Sequence, residues 1–148
     1  MKVLIVEDEA LIALSWAQVV ESLGHRVLGI CASLPAAREL TRREAPDVAL
    51  VDLRLGGGRC GAKVDEYLNE AFGTTSLYVT ANRDFAYRYG TRAIGFAEKP
   101  LSGDSQFAVV RFLTAWHEGR RPPVPPGVTL FGDAQEVMTE AARAEEVQ

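Results

Sequence analysis

The stretch Asp47-Val48-Ala49-Leu50-Val51-Asp52-Leu53 constrains the fold more than any other part of the chain. The apolar run Val48–Val51 is too short for a helix and shows no alternation with polar residues. It fits a strand buried on both faces, the habit of a central strand in a parallel sheet. Asp52 ends the run. A carboxylate in that position loses hydration, at a cost of several kcal/mol, unless something pairs with it. In open α/β sheets the ligand crevice lies outside the carboxyl ends of the strands. Asp52 is therefore either a satisfied structural aspartate or the centre of a site, and the rest of the chain decides between them.

A second run of this kind, Val3-Leu4-Ile5-Val6, leads into Glu7-Asp8-Glu9. Leu11, Ile12, Ser15, Trp16, Val19 and Leu23 then follow helical spacing up to Gly24, a natural helix stop. Val27–Cys31 reads as a weaker strand. Ser33 and Pro35 start a helix expected to run towards Glu44, where Ala45-Pro46 ends it. After the Asp52 strand come the loop Gly56-Gly57-Gly58 and a helix near Ala62–Phe72. A strand at Ser76–Val79 closes on Thr80-Ala81-Asn82, and a short helix runs from Asp84 to Tyr89. The strand Ala93–Ala97 ends at Glu98-Lys99-Pro100, and a helix from Asp104 to His117 follows. Strand and helix alternate five times. With right-handed crossovers this predicts an α/β fold, a five-stranded parallel sheet with helices on both faces.

Residues 1–121 form the expected domain. Residues 122–148 are expected to be a stiff proline-rich linker, Pro122–Gly127, and a short acidic helix opened by a capping-box-like Asp133 and Glu136. Of the net charge of −4, all lies in that tail, which has five acids against Arg143; residues 1–121 balance. This argues against contacts to a nucleic-acid backbone. Cys31 and Cys60 make neither a disulfide framework nor a metal spacing, and they read as reduced thiols of a cytoplasmic protein. Strand residues begin directly after Met1, so neither a signal peptide nor membrane insertion is expected.

In the predicted topology Glu7, Asp8, Asp52, Thr80 and Lys99 meet at one sheet edge. Crowded carboxylates raise each other's pKa unless a cation sits among them. Oxygen ligands suit a hard divalent ion, and Mg²⁺ with retained waters is the natural choice. Lys99 offers a compact positive charge and Thr80 a hydroxyl for phosphate oxygens. Carboxylate nucleophile, metal, lysine and hydroxyl are together the parts of phosphoryl transfer.

The ordered segments Val3–Glu9, Leu50–Leu53, Val79-Thr80-Ala81 and Phe96-Ala97-Glu98-Lys99-Pro100 resemble the receiver domain of bacterial two-component response regulators over about residues 2–118. The resemblance implies a flavodoxin-like, doubly wound (βα)5 fold and a phosphoprotein switch in signal transduction rather than a turnover enzyme. By the resemblance Asp52 is the phospho-acceptor. Asp8 and Asp52 bind Mg²⁺ directly, Glu7 acts through water, and the backbone carbonyl of Arg54 completes the metal ligands. Lys99 contacts the phosphoryl group, Thr80 and Phe96 are the switch pair, and the Lys99–Pro100 bond is cis. Arg54 and Asn82, each two residues beyond a key position, would tune the lifetime of the aspartyl phosphate.

The implied donor is a histidine kinase or histidine phosphotransfer protein in a phosphorelay, and the output is a downstream protein partner. An aspartate-nucleophile phosphatase would carry a second Asp where Arg54 stands. A phosphorylation-independent interaction module is the other alternative. Gly56-x-Gly58-x-x-Gly61 formally satisfies a dinucleotide-binding pattern but is better read as a loop beside the acceptor. On the last helix of the domain, Val109, Phe112 and Trp116 add a second apolar stripe to that of Phe107, Val110 and Thr114. The stripe is either core or, with Arg88 and Arg92 nearby, a partner, homodimer or tail-docking face.

Overall fold

The computed structural model describes residues 1–89 and 92–147. The elements in chain order are β1 (Lys2–Val6), α1 (Ala10–Ser22), β2 (Arg26–Cys31), α2 (Leu34–Leu40), β3 (Val48–Asp52) and α3 (Gly61–Phe72). They continue with β4 (Thr75–Thr80), α4 (Arg83–Tyr89), β5 (Gly95–Glu98), α5 (Gly103–His117), β6 (Val128–Leu130) and α6 (Gly132–Glu146). The sheet order is β2-β1-β3-β4-β5-β6. The first five strands are parallel, as the alternation predicts, and β6 is antiparallel to β5.

The apolar runs become strands buried on both faces because helices cover both sides. Val3, Ile5, Val48, Leu50, Leu77, Val79 and Ala97 point to one face and pack against α1 and α5 through Trp16, Val20, Val110 and Leu113. Their strand neighbours Leu4, Val6, Ala49, Val51, Tyr78 and Phe96 point to the other, against Ala37, Val64, Leu68 and Ala86 of α2, α3 and α4. With β3 central and every one of its residues buried, Asp52 arrives at the sheet's carboxyl edge at the end of the best-packed strand.

Two local expectations are corrected. α2 ends at Leu40 rather than near Glu44. Thr41 turns its hydroxyl back to the Ala37 carbonyl at 2.8 Å and to the Tyr67 hydroxyl at 2.8 Å, which satisfies the helix end early. The tail also differs. Val128–Leu130 forms a sixth strand, and α6 starts at Gly132 behind Phe131, with no side-chain cap, so Asp133 stands inside the first turn rather than at the cap. β6 can approach β5 because residue 95 is glycine. A Cβ there would lie 2.2 Å from the Thr129 carbonyl oxygen.

Candidate functional site

Three strand ends and a loop build the site. Glu7 and Asp52 are buried, Asp8 is exposed, and oxygen atoms of the three carboxylates lie within 4.8 Å of one another. Lys99, directly after β5 and followed by the cis Lys99–Pro100 peptide, sits among them. Its Nζ donates to Asp52 Oδ2 at 3.0 Å and to Glu7 Oε2 at 3.2 Å. Backbone amides hold other oxygens of the acids. Arg54 N donates to Asp52 Oδ1 at 3.0 Å, Glu9 N to Glu7 Oε1 at 3.2 Å, and Gly56 N to Asp8 Oδ2 at 2.8 Å.

One lysine does not balance three carboxylates. Burial, and then the charge of Asp52, push the Glu7 carboxyl up to about 7, against the opposing pull of Lys99 and the Glu9 amide. Burial disfavours the charge on Lys99, but its hydrogen bond to Asp52 and the charges of Asp52 and Glu7 outweigh that, so its pKa is raised. The donor set is all carboxylate oxygen, with Asp8 open to solvent, which fits a hard divalent cation that keeps part of its water shell. Gly56 is part of the cradle: a Cβ there would stand 2.9 Å from Asp8 Oδ2.

Thr80 is buried at the end of β4, and its hydroxyl accepts from Asn82 N at 3.1 Å. Asn82 Oδ1 in turn accepts from Phe85 N at 3.0 Å at the start of α4. Tyr78 pairs with Phe96 and Thr80 with Glu98 across β4 and β5. Thr80 and Phe96 are thus diagonal neighbours on one sheet face, within reach of an aromatic side chain. Phe96 is fully buried. Arg54 projects from the loop after Asp52, with its guanidinium 5.4 Å from the Phe85 ring centre.

The structure brings together Glu7, Asp8, Asp52, Arg54 and Lys99, with Thr80 and Phe96 beside them on β4 and β5. The other named residues are dispersed. Val109 belongs to the core between sheet, α1 and α5. Phe112 and Trp116 lie under the chain's own tail, packed with Leu130, Ala134 and Met138, so in this conformation they present no free face. Arg92 donates to Glu70 at 2.7 Å and, with Arg88, lines a surface cavity of about 270 Å³ beside Cys60 and Tyr89. Phe131 and Tyr87, both in ring contact with Phe96, were not singled out by the sequence. A lone aromatic just before a helix start was the available signal, and it carries no partner's name.

Residues 3–111 match the response regulator receiver domain family. The chain belongs to that family. The receiver is 32% identical over 81 residues to the phyllosphere-induced regulator PhyR of Methylorubrum extorquens, covering 54% of this chain and 30% of that protein. It is also similar to the response regulator PhyR from Brucella abortus, with 28% identity, a TM-score of 0.71, and coverage of 80% of this chain and 49% of that one. Against the receiver domain of PhyR from Erythrobacter litoralis the values are 26% identity, a TM-score of 0.69 and coverage of 84% and 95%. The receiver thus spans half or less of the longer PhyR chains. Among its described residues no helix is long and apolar enough to cross a membrane.

Proposed function

We propose that this receiver accepts a phosphoryl group on Asp52 from a phosphohistidine of a histidine kinase or phosphotransfer protein, and signals through contacts with another protein. The observation that carries the reading is Asp52 Oδ2 held at the end of the central strand, 3.0 Å from Lys99 Nζ and beside two further acids. In the step, a carboxylate oxygen of Asp52 attacks phosphorus while the P–N bond to imidazole breaks. The bonding pair returns to the ring nitrogen, and no external substrate is turned over. Lys99 offsets charge on the transferring oxygens, and the Arg54 amide holds the other Asp52 oxygen in place. Asp8 and Asp52, with Glu7 through water and the Arg54 carbonyl, would hold Mg²⁺. The ion would neutralise charge on the phosphoryl oxygens and the acids together.

The acidic tail supports a protein rather than a nucleic-acid output. The two free thiols suit the cytoplasm as its location. The test is incubation of wild type and Asp52→Asn with a small phosphodonor and Mg²⁺. Wild type is expected to gain one hydroxylamine-sensitive acyl phosphate and the variant none. Equal labelling of both would remove Asp52 from the reaction, and repeated turnover of the donor would favour a phosphatase.

A further inference from the structure

The tail meets the domain at the switch residue. β6 pairs with β5 from Gly95–Leu130 to Ala97–Val128, and the ladder is extended at both ends by Phe131 N to Ile94 O at 3.0 Å and Glu98 N to Gly127 O at 3.1 Å. The ring of Phe131 then lies on Phe96, with centroids 5.8 Å apart and planes at 36°. Tyr87 of α4 closes the group, 5.5 Å from Phe96 and 5.9 Å from Phe131, and Tyr78 stands 6.1 Å from Phe131. Among the described residues, a short strand pairing and one apolar cluster also hold this cap. β6 pairs through three residues, and among the described residues of α6 only Ala134 is buried. The remaining apolar cover, Leu130 and Met138 over Phe112 and Trp116, is a small cluster of its own.

From this geometry we infer that β6 and α6 form a releasable cap, and that the contact between Phe131 and Phe96 couples its release to phosphorylation of Asp52. The inference rests on the receiver reading. Thr80 now spends its hydroxyl oxygen on the Asn82 amide. A phosphoryl group on Asp52 adds charge and several acceptors, and the Thr80 hydroxyl turns to donate to it. That vacates space on the sheet face it shares with Phe96. Moving the Phe96 ring into this space draws it away from Phe131. Close-packed interiors do not tolerate the gap, because a ring without a neighbour loses its dispersion contacts outright. The cap weakens, and the β5 edge with Phe112 and Trp116 becomes accessible. Those are groups a partner strand and apolar helix face would cover.

Coupling between two sites is reciprocal. What the phosphoryl group does to the cap, loss of the cap must do to phosphoryl binding. Gly95→Ala supplies the clean perturbation, because the three nearest atoms its Cβ would meet all belong to Thr129 and Leu130 of β6. The probe is beryllofluoride with Mg²⁺ on the full chain. Occupancy is read from the Gly56 amide shift, and the cap from hydrogen exchange at the amides of Glu98 and Phe131.

With the probe bound, exchange at both amides is expected to rise about two- to tenfold, the span that one aromatic pair contributes. Gly95→Ala should bind the probe more tightly by the same factor. Phe131→Leu keeps an apolar contact but should bring the coupling close to one. Met138→Ala, which loosens α6 away from the rings, should speed exchange equally with and without probe and leave the coupling intact. A shifted Gly56 amide with unchanged exchange, or unaltered probe affinity in Gly95→Ala, would overturn the cap and leave the receiver reading standing. No response at Gly56 would take down both.

Discussion

Magnesium affinity of this receiver is expected to climb with pH through neutrality, and Glu7 sets the size of the effect. Its carboxyl is pushed up to about 7, so the free site holds a proton there about half the time at pH 7. A dication held by Asp8 and Asp52, whose oxygens lie within 4.8 Å of a Glu7 oxygen, would interact with an ionised Glu7 by several kcal/mol at an effective dielectric of about 20. That would exceed the ~1.4 kcal/mol per pH unit that keeps the proton on, so metal binding would release the proton. The ionised fraction is about 0.09 at pH 6 and about 0.91 at pH 8, which gives about a tenfold rise in apparent affinity across that interval. Lys99 does not confuse the profile, since its pKa is raised and it stays charged throughout. Titrating Mg²⁺ at pH 6, 7 and 8 while following the Gly56 and Arg54 amides measures the slope. Glu7→Gln should bind with little pH dependence. A flat profile in wild type, or an equal slope in Glu7→Gln, would refute the assignment of the proton to Glu7.

Other outcomes follow from the same geometry. Because the folded pKa of Glu7 lies above its unfolded value, its stabilising contribution is complete below about pH 4.5 and is lost as pH rises through about 7, a change on the order of 3 kcal/mol. Metal-free Glu7→Gln should therefore lose less stability than wild type between pH 5 and 8 in urea melts. Tyr78→Phe removes the hydroxyl that donates to the buried Asp65 Oδ2 at 2.9 Å and should cost about 1.5–3 kcal/mol by the same measurement. Burial already raises the Asp65 pKa, so carbon-detected titration should find it higher still in that variant. Gly61→Ala would put a Cβ 1.9 Å from the Asp52 carbonyl oxygen, and it should lower stability by at least about 1–3 kcal/mol and slow phosphorylation, since α3 must back away from the acceptor strand.

The strand-end chemistry was legible because a doubly covered parallel strand leaves a near-continuous apolar run in the sequence. The residue ending such a run lies at the sheet's carboxyl edge wherever the topology is right. Glu7, Asp52, Thr80 and Lys99 each close or follow one, so four separate segments could be brought to one edge from pattern alone. What was hidden depends on distance rather than pattern. The hydrogen bond from Gly56 N to Asp8 Oδ2 joins residues 48 positions apart, and nothing in a glycine loop says which carboxylate its amide will meet. α2 stopped early for a similar reason, its Thr41 finding Tyr67 on α3.

The tail strand illustrates the sharper limit. Val128-Thr129-Leu130 is shorter than any run that periodicity can score, and its place is set by the missing side chain at Gly95. The second apolar stripe on α5 was visible, yet only the fold shows that the chain covers Phe112 and Trp116 itself. That economy of contact has a physical use. An open β5 edge would invite pairing with other chains, and β6 occupies it. A switch that couples two sites by about 1–3 kcal/mol can reverse only an equilibrium of similar size. A cap paired through as many residues as β3 and β4, which match over five, would stay shut whatever happened at Asp52. On that proposal, three paired residues, the small apolar cluster over Phe112 and Trp116, and one ring on Phe96 hold the cap, few enough for a phosphoryl group on Asp52 to release it.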